Sequence, residues 1–175
     1  LLVDSGRWYY GSQASYFQSA LDDKDYVYDL LEIRSLDTDV PQEAELALYD
    51  ATIWSAPIDS PGLIGAGDVI SGYLTSGGNL LLTGQDIGYW DSGLNGWTSH
   101  SYFGDLLKAE VLADNAGRKD IIGVSGELLD GLILPIDGPD SAGNQSTPDL
   151  IDLIDLQDAS LIANYEGVGS AALHA

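Results

Sequence analysis

Apolar residues along this chain fall into short unbroken runs alternating with stretches of helical spacing. Leu1-Leu2-Val3 reads as a buried strand that gives way to a polar loop at Asp4-Ser5-Gly6. Between Ser12 and Leu21 the apolar positions Ala14, Phe17, Ala20 and Leu21 share one helical face. The pattern then repeats: a strand over 26–33, a short helix from Pro41 to Leu48, and a strand over Ala51-Thr52-Ile53-Trp54. Val69, Ile70, Tyr73 and Leu74 mark another helix, which Gly77-Gly78 stops before a fourth strand over 79–83. A helix over 102–108 and a strand near 110–112 follow.

Strands and amphipathic helices in alternation imply βαβ units, whose right-handed crossovers build a parallel sheet covered on both faces. The expected fold is a flavodoxin-like three-layer α/β/α sandwich with a mostly parallel sheet. The texture changes after residue 115. Ile121–Val124 and Leu128–Ile136 resemble strands of an extra hairpin or side sheet, and 137–148 is a polar Gly/Pro/Asp loop. Leu150–Leu156 suggests a helical turn, while 161–165 and 170–173 suggest closing strands. No internal repeat is present.

The fourth strand runs straight into Gly84-Gln85-Asp86-Ile87-Gly88, the frame of a nucleophile elbow. In such a turn from strand to helix, flanking glycines relieve crowding and the central side chain projects above the sheet. Here the centre is Asp86.

Leu1-Leu2-Val3-Asp4, Tyr26-Val27-Tyr28-Asp29, Tyr49–Trp54 and Tyr73–Asp86, with its strand, Gly-Gly, strand, Gly-x-x-x-Gly order, together resemble the class I glutamine amidotransferase-like superfamily. The likeness covers about the first 110 residues. It is greatest to the catalytically silent members found as modules in large secreted bacterial proteins, some of them subtilisin-like peptidases. In active members the elbow carries a cysteine, assisted by a late histidine and glutamate. This chain has Asp86 at that position and only His100 and His174 as histidines, with no His-x-Glu pair, so the resemblance implies a silent elbow. It also implies an extracellular or cell-surface setting.

Composition narrows the function classes. The 175 residues are 45% hydrophobic, enough for one domain with a substantial core over 1–175. Six Lys and Arg stand against 28 Asp and Glu, a formal charge of -22 that repels phosphate backbones and anionic membranes. Nucleic acid is therefore not an expected partner. No run approaches the roughly 18 apolar residues of a membrane span, so no membrane insertion is expected. Cysteine is absent, which removes disulfides, thiolate metal sites and a cysteine nucleophile. A start on Leu1 and an apolar end at Ala171–Ala175 suggest a piece of a longer chain.

Chemistry then has three candidate sites. Asp86 as a nucleophile with His100 activating water suits ester, halide or phosphoryl substrates, whereas a carboxylate attacking an amide would give an unstable mixed anhydride. Alternatively Asp86 caps the following helix or the turn. At the carboxyl ends of the strands, Asp4, Ser5, Tyr9, Ser55, Gln85, Asp86 and Trp90 form a candidate binding rim. Trp8, Tyr9, Tyr10, Tyr89, Trp90 and Trp97 add aromatic surface that either anchors loops or stacks on a sugar ring or a protein. Two Asp-rich segments offer oxygens to calcium: Asp59 with Asp68, and Asp137, Asp140 and Asp149 with Asn144. Neither has EF-hand spacing, and turn chemistry accounts for both, so no cofactor is required. Asn144-Gln145-Ser146 has the form of a glycosylation acceptor.

These features imply a non-catalytic accessory or interaction domain of a larger exported protein, possessing as partners the parent's other domains and a protein or glycan ligand. The rivals are a hydrolase using Asp86 and His100, and a carbohydrate-binding module using the aromatic rim.

Overall fold

A computed structural model describes residues 1–94, 96–138, 141, 143, 145–155 and 157–175. The chain forms two compact units, Leu1–Ile87 and Gly88–Ala175.

The first unit is built on a four-stranded parallel sheet. Strands β1 (Leu2–Asp4), β2 (Leu30–Glu32), β3 (Thr52–Ala56) and β4 (Leu80–Gly84) lie in the order β2-β1-β3-β4. Leu2 pairs with Leu30 and Ile53, and Thr52 with Leu80, all in parallel register. Parallel strands need crossovers, and helices α1 (Ala14–Asp22), α2 (Glu43–Leu46) and α3 (Gly67–Thr75) stand in these connections. Leu2, Val3, Ile33, Leu46, Trp54, Ile70 and Tyr73 are the buried centre of this unit.

Local chemistry sets the element ends. Helix α3 stops in a Schellman motif: the Gly78 N–H donates to Tyr73 O at 2.9 Å and the Gly77 N–H to Leu74 O at 3.0 Å, with Gly77 at φ 87°. In front of α2, the Glu45 carboxylate accepts the Gln42 N–H at 2.7 Å, half of a capping box. Strand β2 is shorter than the apolar run predicts. Asp25, at φ 56°, turns the chain out of α1, and Val27 lies fully exposed, so pairing starts only at Leu30.

The second unit is dominated by a six-stranded antiparallel sheet. Its strands are β5 (Ala109–Ala113), β6 (Asp120–Gly123), β7 (Ile133–Pro135), β8 (Leu150–Leu153), β9 (Ser160–Tyr165) and β10 (Gly169–His174). They lie in the order β5-β8-β10-β9-β6-β7. The expected side sheet is thus larger than a hairpin, and it includes β5, which the alternating pattern assigns to the parallel region. Residues 150–153 form a strand rather than a helical turn. A short apolar run fits either period, and pairing with β5 and β10 decides it, as in Glu110 opposite Asp152 and Ser170 opposite Ile151.

The unit's helical pieces are short. Helix α4 (Ile87–Asp91) begins at the last residue of the first unit, and a π-helical turn covers Tyr102–Leu106. Overall the chain is mixed α/β, with a parallel and an antiparallel sheet and few helices. Among the described residues no helix is long and apolar enough to cross a membrane.

Candidate functional site

The elbow is realised as a strand-to-helix turn. Strand β4 ends at Gly84, Gln85 and Asp86 form a bend, and α4 starts at Ile87. Both flanking glycines are required by close approach, each within its own unit. A Cβ on Gly84 would lie 2.0 Å from the Ala56 carbonyl oxygen of β3. A Cβ on Gly88 would lie 2.2 Å from Val111 Cγ2 of β5. Gln85 is buried and Asp86 half-buried.

A carboxylate from far along the chain occupies the amides at the start of α4. Asp149 Oδ2 accepts the Gly88 N–H at 2.7 Å and the Tyr89 N–H at 3.3 Å. Amides exposed at a helix start are donors for an anionic ligand, whereas the amide an elbow turns to a developing oxyanion is the one after its central residue, here Ile87. The amides of Gly88 and Tyr89 serve a structural acid.

Asp86 belongs to the first unit and His100 to the second. The backbone N–H of His100 donates to Asp91 O at 2.9 Å, and its ring lies 6.4 Å from that of Tyr102. His100 also lines a concavity of about 330 Å³ with Ser92, Ser99, Phe103, Glu110 and Ile154. In the same unit, the buried Tyr102 hydroxyl donates to the buried carboxylate of Asp91. Burial first, then the charge of Asp91, hold the Tyr102 phenol well above its ordinary range, so it is a fixed donor.

Strand order reverses between β1 and β3, where α/β sheets open their ligand crevice. Three predicted rim residues meet there. Asp4 ends β1, and Ser5 opens a 3-10 turn, Ser5–Trp8, which the Asp4 carboxylate caps by accepting the Gly6 N–H at 3.1 Å. Ser5 Oγ lies 2.9 Å from the Ser55 carbonyl of β3. Two further residues complete the cluster: Ser5 Oγ lies 2.9 Å from Asp59 Oδ1, and Trp8 Nε1–H donates to Asp59 Oδ2 at 3.0 Å. Asp4 is 0% and Asp59 2% exposed, so the crevice is filled by its own side chains. Burial, only partly offset by the bonds from Trp8 and Ser5, pushes the Asp59 carboxyl up to about 6.

No protein-family model, no curated protein and no solved structure matches this chain. Function therefore rests on the residues themselves.

The remaining candidates scatter. Tyr9 is 63% exposed and stacks on Trp8, with centroids 4.8 Å apart and planes at 27°. Tyr10 is 53% exposed. In the second unit Trp90 meets Tyr89 and Trp97 edge-on, at 4.8 and 4.9 Å. Asp68 is exposed in the first turn of α3, and Asp137 accepts the N–H of Gly138 at 2.8 Å, which is turn chemistry. Asp140 and Asn144 lie outside the described residues. Among those described, no group of three or more His, Asp or Glu side chains converges as a metal site would require.

The sequence offers Asp149 and Asp59 as turn acids or calcium ligands, not in these roles. Their roles depend on partners 60 and 54 residues away, so no local spacing signals them.

Proposed function

We propose that this chain is a catalytically silent, amidotransferase-like α/β module that acts as an accessory or interaction part of a larger exported protein. The observation that carries this reading is the engagement of the first-turn amides of α4 by Asp149, which leaves the anion-binding donors of Gly88 and Tyr89 committed to a protein carboxylate. Two further features support it. The parallel order β2-β1-β3-β4 is that of the first four strands of a flavodoxin-like sheet, and Asp86 stands where an active member needs a thiolate. Partners are then the parent's other domains or an external protein, with recognition rather than turnover as the task.

The test is turnover by the whole chain of glutamine, a p-nitrophenyl ester and a p-nitrophenyl phosphate. The expected result is no hydrolysis above buffer, unchanged in Asp86→Asn and His100→Ala. Hydrolysis that disappears in either variant would replace this reading with the Asp86–His100 hydrolase.

A second reading is favoured by the exposed Tyr9 and Tyr10 beside Trp8, a surface suited to stacking on a sugar ring. Oligosaccharide binding by calorimetry, lost in Tyr9→Ala, would support it, and no heat with any glycan tested would remove it.

A further inference from the structure

The cluster between β1 and β3 raises a question of proton count. Ser5 Oγ is 2.9 Å from two oxygens, the Ser55 carbonyl and Asp59 Oδ1. A serine hydroxyl carries one hydrogen, and a carbonyl can only accept. If the hydroxyl hydrogen goes to Ser55 O, the contact with Asp59 needs a second hydrogen, and only Asp59 can supply it. The network then closes: Asp59 Oδ1–H donates to Ser5 Oγ, Ser5 donates to Ser55 O, and Trp8 Nε1–H donates to Asp59 Oδ2. With Asp59 ionised, one hydrogen must be shared between two acceptors.

We propose that Asp59 is held as a neutral carboxylic acid and works as a proton-dependent latch, fastening the 3-10 turn Ser5–Trp8 over the carboxyl ends of β1 and β3 and loosening it on ionisation.

The surroundings favour the neutral form. From β1, the facing acid is Asp4, buried, with Oδ2 lacking a hydrogen-bond partner among the described residues. Asp4 therefore has no acceptor for a proton on that oxygen, whereas Asp59 has Ser5. From the 3-10 turn comes Arg7, engaged with Glu32 of β2 at 3.0 Å. Strands β3 and β4 contribute no ionisable side chain, and on α1 these are Tyr16 and Asp22, the latter accepting the Tyr28 hydroxyl. Burial thus acts on Asp59 without a compensating cation, in the direction of its raised pKa. The turn is close-fitting: a Cβ on Gly6 would lie 2.5 Å from Gly11 O and 2.7 Å from Pro57 Cγ, so an ionised Asp59 leaves a buried charge and one Ser5 hydrogen between two acceptors, a strain that opening of the turn to water relieves.

The test is an NMR titration of the whole chain from pH 4 to 8, following the side-chain carboxyl carbons and the Trp8 indole N–H. The expected result is an Asp59 midpoint near 6, with the Trp8 signal moving at the same midpoint. In Asp59→Asn the Trp8 signal should stay fixed over that range. An Asp59 midpoint near the ordinary value of about 3.9 would overturn the proposal. So would a high midpoint on Asp4 instead, or a Trp8 shift that survives Asp59→Asn. If Asp59→Asn does not fold, the carboxyl titration of the unaltered chain decides alone.

Discussion

The two units carry the same charge and hold it differently. The 28 acidic and 6 basic residues divide evenly between Leu1–Ile87 and Gly88–Ala175. In the first unit, two carboxylates, Asp4 and Asp59, are sealed at the strand ends and answered by a backbone amide, a hydroxyl and an indole. In the second, Asp91 is sealed by a phenol, while Asp149 stays half-buried and reaches the start of α4. Neutral hydrogen-bonding groups meet the buried acids in both. A chain this short of cations satisfies buried acids by hydrogen bonding or protonation, and the choice between these gives each unit its pH behaviour.

The largest expected difference lies at the elbow glycines. Gly84→Ala sets a methyl against the backbone oxygen of Ala56, which cannot rotate away, and should cost about 3 kcal/mol or more. Gly88→Ala meets mainly the side chain of Val111, which can shift, and should cost about 1–2 kcal/mol. Chemical denaturation of both variants checks the ranking. Equal costs would mean that the elbow is not held more rigidly from the first unit.

Next comes pH. The folded-state pKa of Asp59 is raised to about 6 against an unfolded value of 3.8, so the folded chain binds more protons between these values. Its contribution is fully present below about pH 4 and is lost as pH rises through about 6, a change of roughly 2–3 kcal/mol. Unfolding free energies at pH 4.5 and 7.5 should differ more in the unaltered chain than in Asp59→Asn. Equal differences would assign the pH dependence elsewhere.

In the second unit, Tyr102→Phe withdraws a donor from the buried Asp91 and should cost about 1–3 kcal/mol. A neutral result in thermal melts would show that Asp91 is fully served by its other contacts.

Legibility in the sequence also differs between the units. In the parallel sheet, Leu1–Val3, Ala51–Trp54 and Asn79–Thr83 are largely apolar runs, buried in β1 and β3 though partly exposed at Leu81 on the β4 edge, and each one matches an observed strand to within two residues. The Gly-Gly stop and the Gly-x-x-x-Gly turn were readable because backbone geometry demands those residues locally. In the antiparallel sheet the strands are partly exposed, as at Ile133, 69% exposed on β7, and weak alternation let Leu150–Leu153 pass for a helix. At the site, Asp4, Ser5 and Ser55 were legible because strand ends in α/β sheets gather side chains. Asp59, Trp8 and Asp149 were not legible in these roles, since each acts through a contact that only tertiary folding creates.

The most direct test of the silent elbow is amide hydrogen exchange at Gly88 and Tyr89, compared between the unaltered chain and Asp149→Ala. If Asp149 holds these donors, Gly88 above all should be protected, and the variant should lose that protection along with about 1 kcal/mol of stability. Amides that exchange at the same rate with and without the Asp149 carboxylate would contradict the account and leave the start of α4 open for an anionic ligand.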